Sequence, residues 1–393
     1  MTPIEDPSAL LALSQTAFYA GDLARAQGLL ARLVAFPGCG LQAWVNLAVV
    51  YQAQGNEAGE EAAIRAALTI DPSDLIALIL RAGLLARQGK RHAAARAYGA
   101  VAAVAPPLER LAPNLQPAVR QAQAQRDRYQ DEFGAFLDAA LAPTLDELQG
   151  ENLARFRESV DIMLGRKRRF DSQSALFHFH GLAPASFFPR EAFPWLDAIE
   201  AATDAIRAEC DVALMDRVAL SPYLQYQSDQ PLRQWAELNR NLAWSAYHLI
   251  EAGVVNADHA ACCPATMAAL AGAPQPDQRG RTPTAMFSRL QAGTHIPAHT
   301  GVSNARLVVH LPLTVPSGCR FRVGNETRAW VPGQAWVFDD TVEHEAWNDG
   351  TQARTILMFD IWHPQLSLAE RHAVAAMAVA IDAFSKEEGS FGL

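Results

Sequence analysis

Arg306-Leu307-Val308-Val309-His310-Leu311-Pro312-Leu313 is an apolar run of strand length with a histidine inside it. Six similar runs flank it, at 285–290, 319–323, 327–331, 335–338, 343–347 and 354–361. All are rich in Val, Ile, Phe and Trp and are parted by Gly, Pro, Asn or Asp, the pattern of short antiparallel strands. Strands at that spacing predict a jelly-roll or cupin-like β-barrel. Such a barrel has a mouth that admits a small ligand and inward positions that alternate along each strand.

Of the 11 histidines in the chain, His295, His299, His310, His344 and His363 fall in this stretch. A single histidine near a strand is usually a satisfied hydrogen-bonding residue, so spacing has to sort them. His299 precedes an early strand and His344 sits on a late one, the two places from which a jelly roll presents metal ligands. Arg354 follows ten residues after the second. A 2-His-1-carboxylate iron site would place Asp or Glu two residues after the first histidine, whereas the chain reads His299-Thr300-Gly301. Asp339 or Asp340 could orient an imidazole or cap a turn. Direct ligation by Asp340 or Glu345 is opposed by the pleat, which points a carboxylate so placed elsewhere.

The chain has 393 residues, 50% of them hydrophobic, and a net charge of −9. That length suits two domains. The acidic balance argues against broad nucleic-acid binding, and the basic run Arg166-Lys167-Arg168-Arg169 reads as a solvated face or helix end. Met1-Thr2-Pro3-Ile4-Glu5-Asp6 lacks a basic and apolar leader, and no later stretch is apolar enough to span a bilayer. A cytoplasmic protein with no membrane contact is expected. Cys39, Cys210, Cys262, Cys263 and Cys319 are too scattered for a disulfide framework and read as free thiols, with the neighbours Cys262 and Cys263 as the redox-sensitive alternative.

The first hundred residues repeat. Gly21, Gly55 and Gly89 recur every 34 residues, each followed by a polar residue, while Pro37, Pro72 and Pro106 close successive units. That period is the tetratricopeptide length, and Trp44, Leu47, Ala48, Tyr51, Gly55, Ile64, Ala67 and Pro72 resemble the repeat's pattern. Small residues let paired helices approach closely, glycine turns the chain and proline stops the second helix. The concave face of such a stack could hold a peptide or protein substrate, or serve only to solubilise, dimerise or cap a neighbour. The expected organisation is α+β multidomain: all-α repeats over 1–107, a helical linker over 108–169 broken by prolines, and a jelly-roll domain over 170–393. Amphipathic helices are expected near 195–210 and 232–253.

Beyond residue 170 the sequence resembles the aspartyl/asparaginyl β-hydroxylase family of Fe(II)- and 2-oxoglutarate-dependent oxygenases. The resemblance is carried by Pro297-Ala298-His299-Thr300-Gly301, Asn304-Ala305-Arg306-Leu307, His310-Leu311-Pro312-Leu313 and Arg322-Val323-Gly324. It continues through Phe338-Asp339-Asp340-Thr341-Val342-Glu343-His344-Glu345-Ala346-Trp347-Asn348 and Asp360-Ile361-Trp362-His363-Pro364. That family has glycine in place of the iron-binding carboxylate, so Gly301 fits it. The resemblance implies a double-stranded β-helix with His299 and His344 as iron ligands. Arg354 and Ser288 would hold the distal carboxylate of 2-oxoglutarate, His310 the carboxylate nearest the metal, and Trp244 would line the pocket. Arg306 would meet an acidic group of the substrate. The family often carries a further arginine where this chain has Val308.

The activity implied uses iron, 2-oxoglutarate and O2 to hydroxylate an unactivated carbon, the β-carbon of an aspartyl or asparaginyl residue in a peptide, protein or related small molecule, releasing succinate and CO2. Two other classes stay open on sequence: a repeat scaffold with a 2-oxoglutarate-sensing or inactive barrel, and a metal-dependent cupin enzyme that is no oxygenase. Substrate identity, stereochemistry and oligomeric state are not written in the sequence.

Overall fold

The computed structural model describes residues 6–215, 219–227, 229–278 and 280–385, so residues 1–5 of the opening segment lie outside the described residues. The chain divides into two compact units, Met1–Arg166 and Lys167–Leu393.

The first unit is helical. Its repeats are the pairs α1 (Pro7–Tyr19) with α2 (Leu23–Val34), α3 (Leu41–Gln54) with α4 (Glu57–Ile70), and α5 (Leu75–Arg87) with α6 (Arg91–Val104). Gly21, Gly55 and Gly89 turn each pair at φ of 79°, 72° and 67°. Nothing lies within 4 Å of where their Cβ atoms would be, so left-handed backbone rather than space demands glycine there. Asp22 and Asn56 cap α2 and α4 through their side chains, accepting from the amides of Arg25 and Gly59. The corresponding Lys90 makes no side-chain cap. Ala26, Ala48, Ala67 and Ala82 are buried where the helices cross.

After the repeats come α7 (Gln116–Glu147) and α8 (Ala154–Met163). The expected break at Pro143 does not occur: α7 runs through it. The turn around it is largely exposed, so water can satisfy the carbonyl that proline leaves without a donor. Pro117 sits in the first turn of α7, where no amide is needed.

The second unit contains α9 (Leu196–Ala201), α10 (Thr203–Ala213), α11 (Ala257–Ala261), α12 (Pro264–Leu270) and α13 (Leu368–Ser385) around two antiparallel sheets. Its strands are β1 (Ser221–Pro222), β2 (Trp244–Glu251), β3 (Val254–Val255), β4 (Ala285–Leu290), β5 (Thr294–His299), β6 (Arg306–Thr314), β7 (Cys319–Val323), β8 (Glu326–Arg328), β9 (Trp336–Phe338), β10 (His344–Asn348) and β11 (Arg354–Trp362). The larger sheet is ordered β1-β2-β4-β11-β6-β9, with β3 paired to β2; the smaller is β5-β10-β7-β8. This is the jelly-roll arrangement with flanking helices. The sheets stay open, however, and their ladders do not close into the barrel that strand spacing suggested.

The two sheets face each other across Leu290, Ile296, Val308, Phe321, Val323, Phe338, Ala346 and Ile356. The outer face of the larger sheet, through Leu249, Phe287, Leu307, Val309, Leu357, Phe359 and Ile361, packs against Leu196, Ile199, Ile206 and Leu270 of the helices. β2 corrects the helix expected near 232–253. It lies between β1 and β4 with nearly every residue buried. A strand covered on both faces shows no alternation, and its apolar spacing then mimics a helix.

Candidate metal and cosubstrate site

Pairing of β5 with β10 sets His299 directly opposite His344, and their ring centroids are 4.1 Å apart. Each ring is aimed by the backbone. His299 Nδ1 lies 2.8 Å from the carbonyl oxygen of Pro297, and His344 Nδ1 lies 3.1 Å from that of Val342. A protonated Nδ1 donating to a carbonyl leaves Nε2 as the free lone pair, the tautomer a metal requires. Burial pushes both imidazoles below their ordinary pKa, His344 well below it with the neighbouring His299 ring adding to the effect. Both are therefore neutral and able to coordinate.

The third protein position of a facial triad is closed. A Cβ on Gly301 would lie 2.2 Å from Cγ of Asp340, so the Asp340 carboxyl fills the space a side chain at 301 would need. Among the described residues no group of three or more His, Cys, Asp or Glu could hold a metal. Two neutral imidazoles with open positions beside them fit a divalent first-row ion that takes its remaining ligands from a chelating cosubstrate and water. The adjacent carboxylates have other tasks. Asp339 caps a turn, accepting from the amide and hydroxyl of Thr341 at 2.9 and 2.6 Å, and burial pushes it up to about 6. Backbone carbonyls rather than these carboxylates orient the imidazoles, the backbone of Asp340 joining that of Val342 at His344. Glu345 sits on the opposite face of β10, 2.5 Å from Arg322 Nε and 3.1 Å from His295 Nε2.

Arg354 begins β11 and is among the largest fully buried side chains. Among the described residues its Nε and Nη1 have no hydrogen-bond partner, while its guanidinium lies 4.6 Å from the ring centroid of Trp330. Burial pushes its pKa down to about 10. A buried, always-protonated fork with free donors is an unfinished ion pair, and its planar geometry matches a carboxylate. Ser288 stands opposite Ile356 on the neighbouring strand β4, and its hydroxyl accepts from Trp244 Nε1 at 3.2 Å. His310 is buried on β6; its Nδ1 lies 3.4 Å from Trp330 Nε1. Burial, then the charge of Arg354, holds His310 well below its ordinary pKa.

All of these residues line one cavity of about 660 Å³: Trp244, Ser288, His299, His310, His344 and Arg354, with Arg306 and Asp340 at its edge. The strand register thus brings together Trp244, Ser288, His299, Arg306, His310, His344 and Arg354, while His295, Asp339, Glu345 and His363 lie outside the cavity's lining. Arg306 stands apart in one respect. Its guanidinium is 3.1 Å from Asp340 and 4.0 Å from Asp360, so two carboxylates of the chain already face the charge expected to meet an acidic substrate.

Sequence reasoning missed two aromatic walls of the cavity and a ring beside them. Tyr223 stacks on Trp244 with centroids 3.8 Å apart, Trp235 meets His299 edge-on at 5.0 Å, and Trp330 underlies Arg354. Tyr223 and Trp235 lie in irregular chain before β2, where periodicity gives no signal. Trp330 lay within an expected strand and nothing in its spacing distinguished it.

Residues 200–364 match the profile of the family described as aspartyl/asparaginyl beta-hydroxylase. The match covers less than half of the chain. The Homo sapiens aspartyl/asparaginyl beta-hydroxylase is 33% identical over 223 residues, 54% of this chain and 28% of that protein. The Rhizobium tropici ornithine lipid ester-linked acyl 2-hydroxylase is 35% identical over 192 residues, 48% of this chain and 64% of that one. The chain therefore spans less than two thirds of either relative. A cupin 2 conserved barrel domain protein from Salinispora arenicola aligns over 39% of this chain and 99% of its own at 12% identity, with a TM-score of 0.22. The matched segment begins on α9 and ends just after β11; it contains both sheets and all the cavity walls except Ala175.

Proposed function

We propose that the second unit is an Fe(II)- and 2-oxoglutarate-dependent hydroxylase. The observation that carries this reading is the pairing, within one cavity, of two backbone-oriented neutral imidazoles with a buried guanidinium whose Nε and Nη1 find no partner among the described residues. A metal alone would explain the imidazoles, and a dicarboxylate that reaches the metal explains the arginine as well. Iron with bound 2-oxoglutarate and O2 supplies the oxidant that converts a C–H bond to C–OH while the cosubstrate loses CO2 and becomes succinate.

In this reading His299 and His344 hold the ion. Arg354 and Ser288 fix the distal carboxylate, and His310, with its uncharged ring, sits where it can donate to the carboxylate nearest the metal. Trp244, braced by Tyr223, holds Ser288 and excludes water from the distal end. The charge of Arg354 is fixed, so cosubstrate capture needs no proton transfer from the protein. Arg306 bounds the substrate space, its charge shared with Asp340 and Asp360.

The family points to the β-carbon of an aspartyl or asparaginyl residue as the target, whereas the name of the Rhizobium relative points to an acyl chain, so the cavity walls must choose. A peptide or protein held by the helical repeats is the proposed partner, with neither nucleic acid nor membrane involved, in the cytoplasm. Among the described residues no helix is long and apolar enough to cross a membrane. The test is succinate release from 2-oxoglutarate in the presence of Fe(II), ascorbate, O2 and panels of Asp- or Asn-containing peptides and of acyl amides. Turnover that needs oxygen and disappears in His344→Ala supports the proposal; turnover without oxygen, or unchanged in that variant, removes it.

A further inference from the structure

Next to the metal cavity lies a second one of about 460 Å³, which shares with it the walls Tyr223, Val302, Arg306, Val308, Asp340 and Met358. A group held in the second compartment therefore borders the metal site. Two buried carboxylates line it: Asp340, on the turn before β10, and Asp360, on β11. Arg306 faces both of them, at 3.1 Å from Asp340 and 4.0 Å from Asp360. The other cation of the lining, Arg281, is engaged by Asp382 at 2.7 Å. Val308, two residues along β6 from Arg306 and on the same face, adds no charge. One positive charge thus stands between two negative ones.

Polar atoms left open in these walls sharpen the imbalance. Asp340 Oδ1 and Thr282 Oγ1, on residues each 7% exposed, find no partner among the described residues. Asp360 Oδ1 accepts from the amide of Thr284 at 2.7 Å, which leaves Oδ2 with only the more distant guanidinium. Burial, partly offset by Arg306, pushes Asp360 up to about 6, so at neutral pH its charge is largely present and incompletely matched. A buried carboxylate without a full counter-charge is destabilising, and a cation brought from outside relieves it. Met286, Met358, Met377 and Ile381 give another part of the compartment an apolar wall, against which the methylenes of a long basic side chain can lie while its head reaches the carboxylates. A lysyl ammonium brings three donors for such oxygen acceptors. Nε of Arg281, also without a partner among the described residues, is a donor suited to a peptide carbonyl.

We propose that this compartment receives a lysyl side chain of the substrate peptide, its ammonium held by Asp340, Asp360 and Thr282, while a neighbouring residue of the peptide lies over the His299–His344 pair. The placement of that neighbour rests on the hydroxylase reading above; capture of the ammonium does not. The substrate class is then a basic peptide, not an acidic one.

The test is calorimetric titration of the full-length protein, metal-free and zinc-loaded, with Nα-acetyl-lysine methylamide and its norleucine and glutamate counterparts. Norleucine keeps the stem and lacks the ammonium, so it should bind roughly tenfold to a hundredfold more weakly than lysine, and glutamate should show no binding. Asp360→Asn removes one carboxylate and should abolish the preference for lysine. Val308→Lys, which sets an ammonium of the chain itself beside the cluster, should abolish it by the opposite route and keeps the test valid if the first variant folds poorly. Lysine and norleucine bound alike, no binding of any of the three, or a preference that neither variant changes overturns the proposal. A preference for lysine without any succinate formation would retain the compartment and discard the hydroxylase. Succinate formation indifferent to a basic residue beside the target, with no preference in the titrations, would retain the hydroxylase and discard the compartment.

Discussion

Replacing Arg354 with methionine should have two effects of opposite sign. Burial pushes the guanidinium down to about 10. At about 1.4 kcal/mol per tenfold change in proton affinity, the charge is then about 3 kcal/mol less favourable in the folded chain than in water. The group is still protonated at pH 7, so the ligand-free protein carries this cost in full. Against it stands the contact with Trp330, worth about 1 kcal/mol. Methionine fills similar volume without charge, so Arg354→Met should stabilise the ligand-free second unit by about 2 kcal/mol, raising its melting temperature by roughly 4–8 °C. In the presence of metal and 2-oxoglutarate the order should invert. The wild type gains about 2.7 kcal/mol at a hundredfold excess over the dissociation constant, and the variant, with far weaker affinity for the dicarboxylate, gains little at the same concentration. Differential scanning calorimetry with and without 2-oxoglutarate reads both. A variant that melts lower than wild type without ligand, yet is still stabilised by 2-oxoglutarate, would refute the reasoning, because Arg354 would then be satisfied by the fold rather than left for a ligand.

Gly301→Ala should destabilise the second unit by about 2 kcal/mol, since its methyl would overlap the Asp340 carboxyl; in an Asp340→Ala background, which itself loses the pair with Arg306, the same change should cost much less, and strictly additive losses in thermal melts would contradict the overlap. The metal-free protein should lose stability as pH falls below about 6.5. His310 and His344 have folded pKa values depressed by burial, so the unfolded chain binds more protons in that range and the stabilisation is full only above it; His310→Phe should flatten this slope in melts recorded from pH 7.5 to pH 5. Gly55→Ala places a side chain at φ 72° and should cost the helical unit about 1 kcal/mol by circular dichroism, with 2-oxoglutarate binding unchanged.

The parts of this molecule legible in the sequence were those with a strong local signal. The repeats could be read because left-handed turns demand glycine, and Gly21, Gly55 and Gly89 mark them at a fixed interval. Strands β4, β6, β7 and β11 could be read because each is a compact apolar run ended by turn residues. β2 misled because burial on both faces erases alternation, and β5 was missed because Thr294-His295-Ile296-Pro297-Ala298-His299 carries one aliphatic branched residue and a proline. His299, His344 and Arg354 could be picked out by type and spacing. What spacing could not supply was how the rings are held: the carbonyls of Pro297 and Val342 are backbone groups with no sequence signature, and the expected carboxylates proved to be engaged elsewhere. The pairing of Arg306 with Asp340 and Asp360 joins three strands or loops far apart in the chain, and so depends on a topology that local pattern does not specify.

The central claim is that one ion and one keto-dicarboxylate share the cavity between His299, His344 and Arg354. Anaerobic titration of the iron(II)-loaded protein with 2-oxoglutarate tests it most directly, through the visible metal-to-ligand charge-transfer band of a chelated 2-oxo acid. We expect the band to appear with one equivalent of iron, to vanish in His344→Ala, and to require far more 2-oxoglutarate in Arg354→Met. No band in the wild type, or one indifferent to both substitutions, would contradict the account.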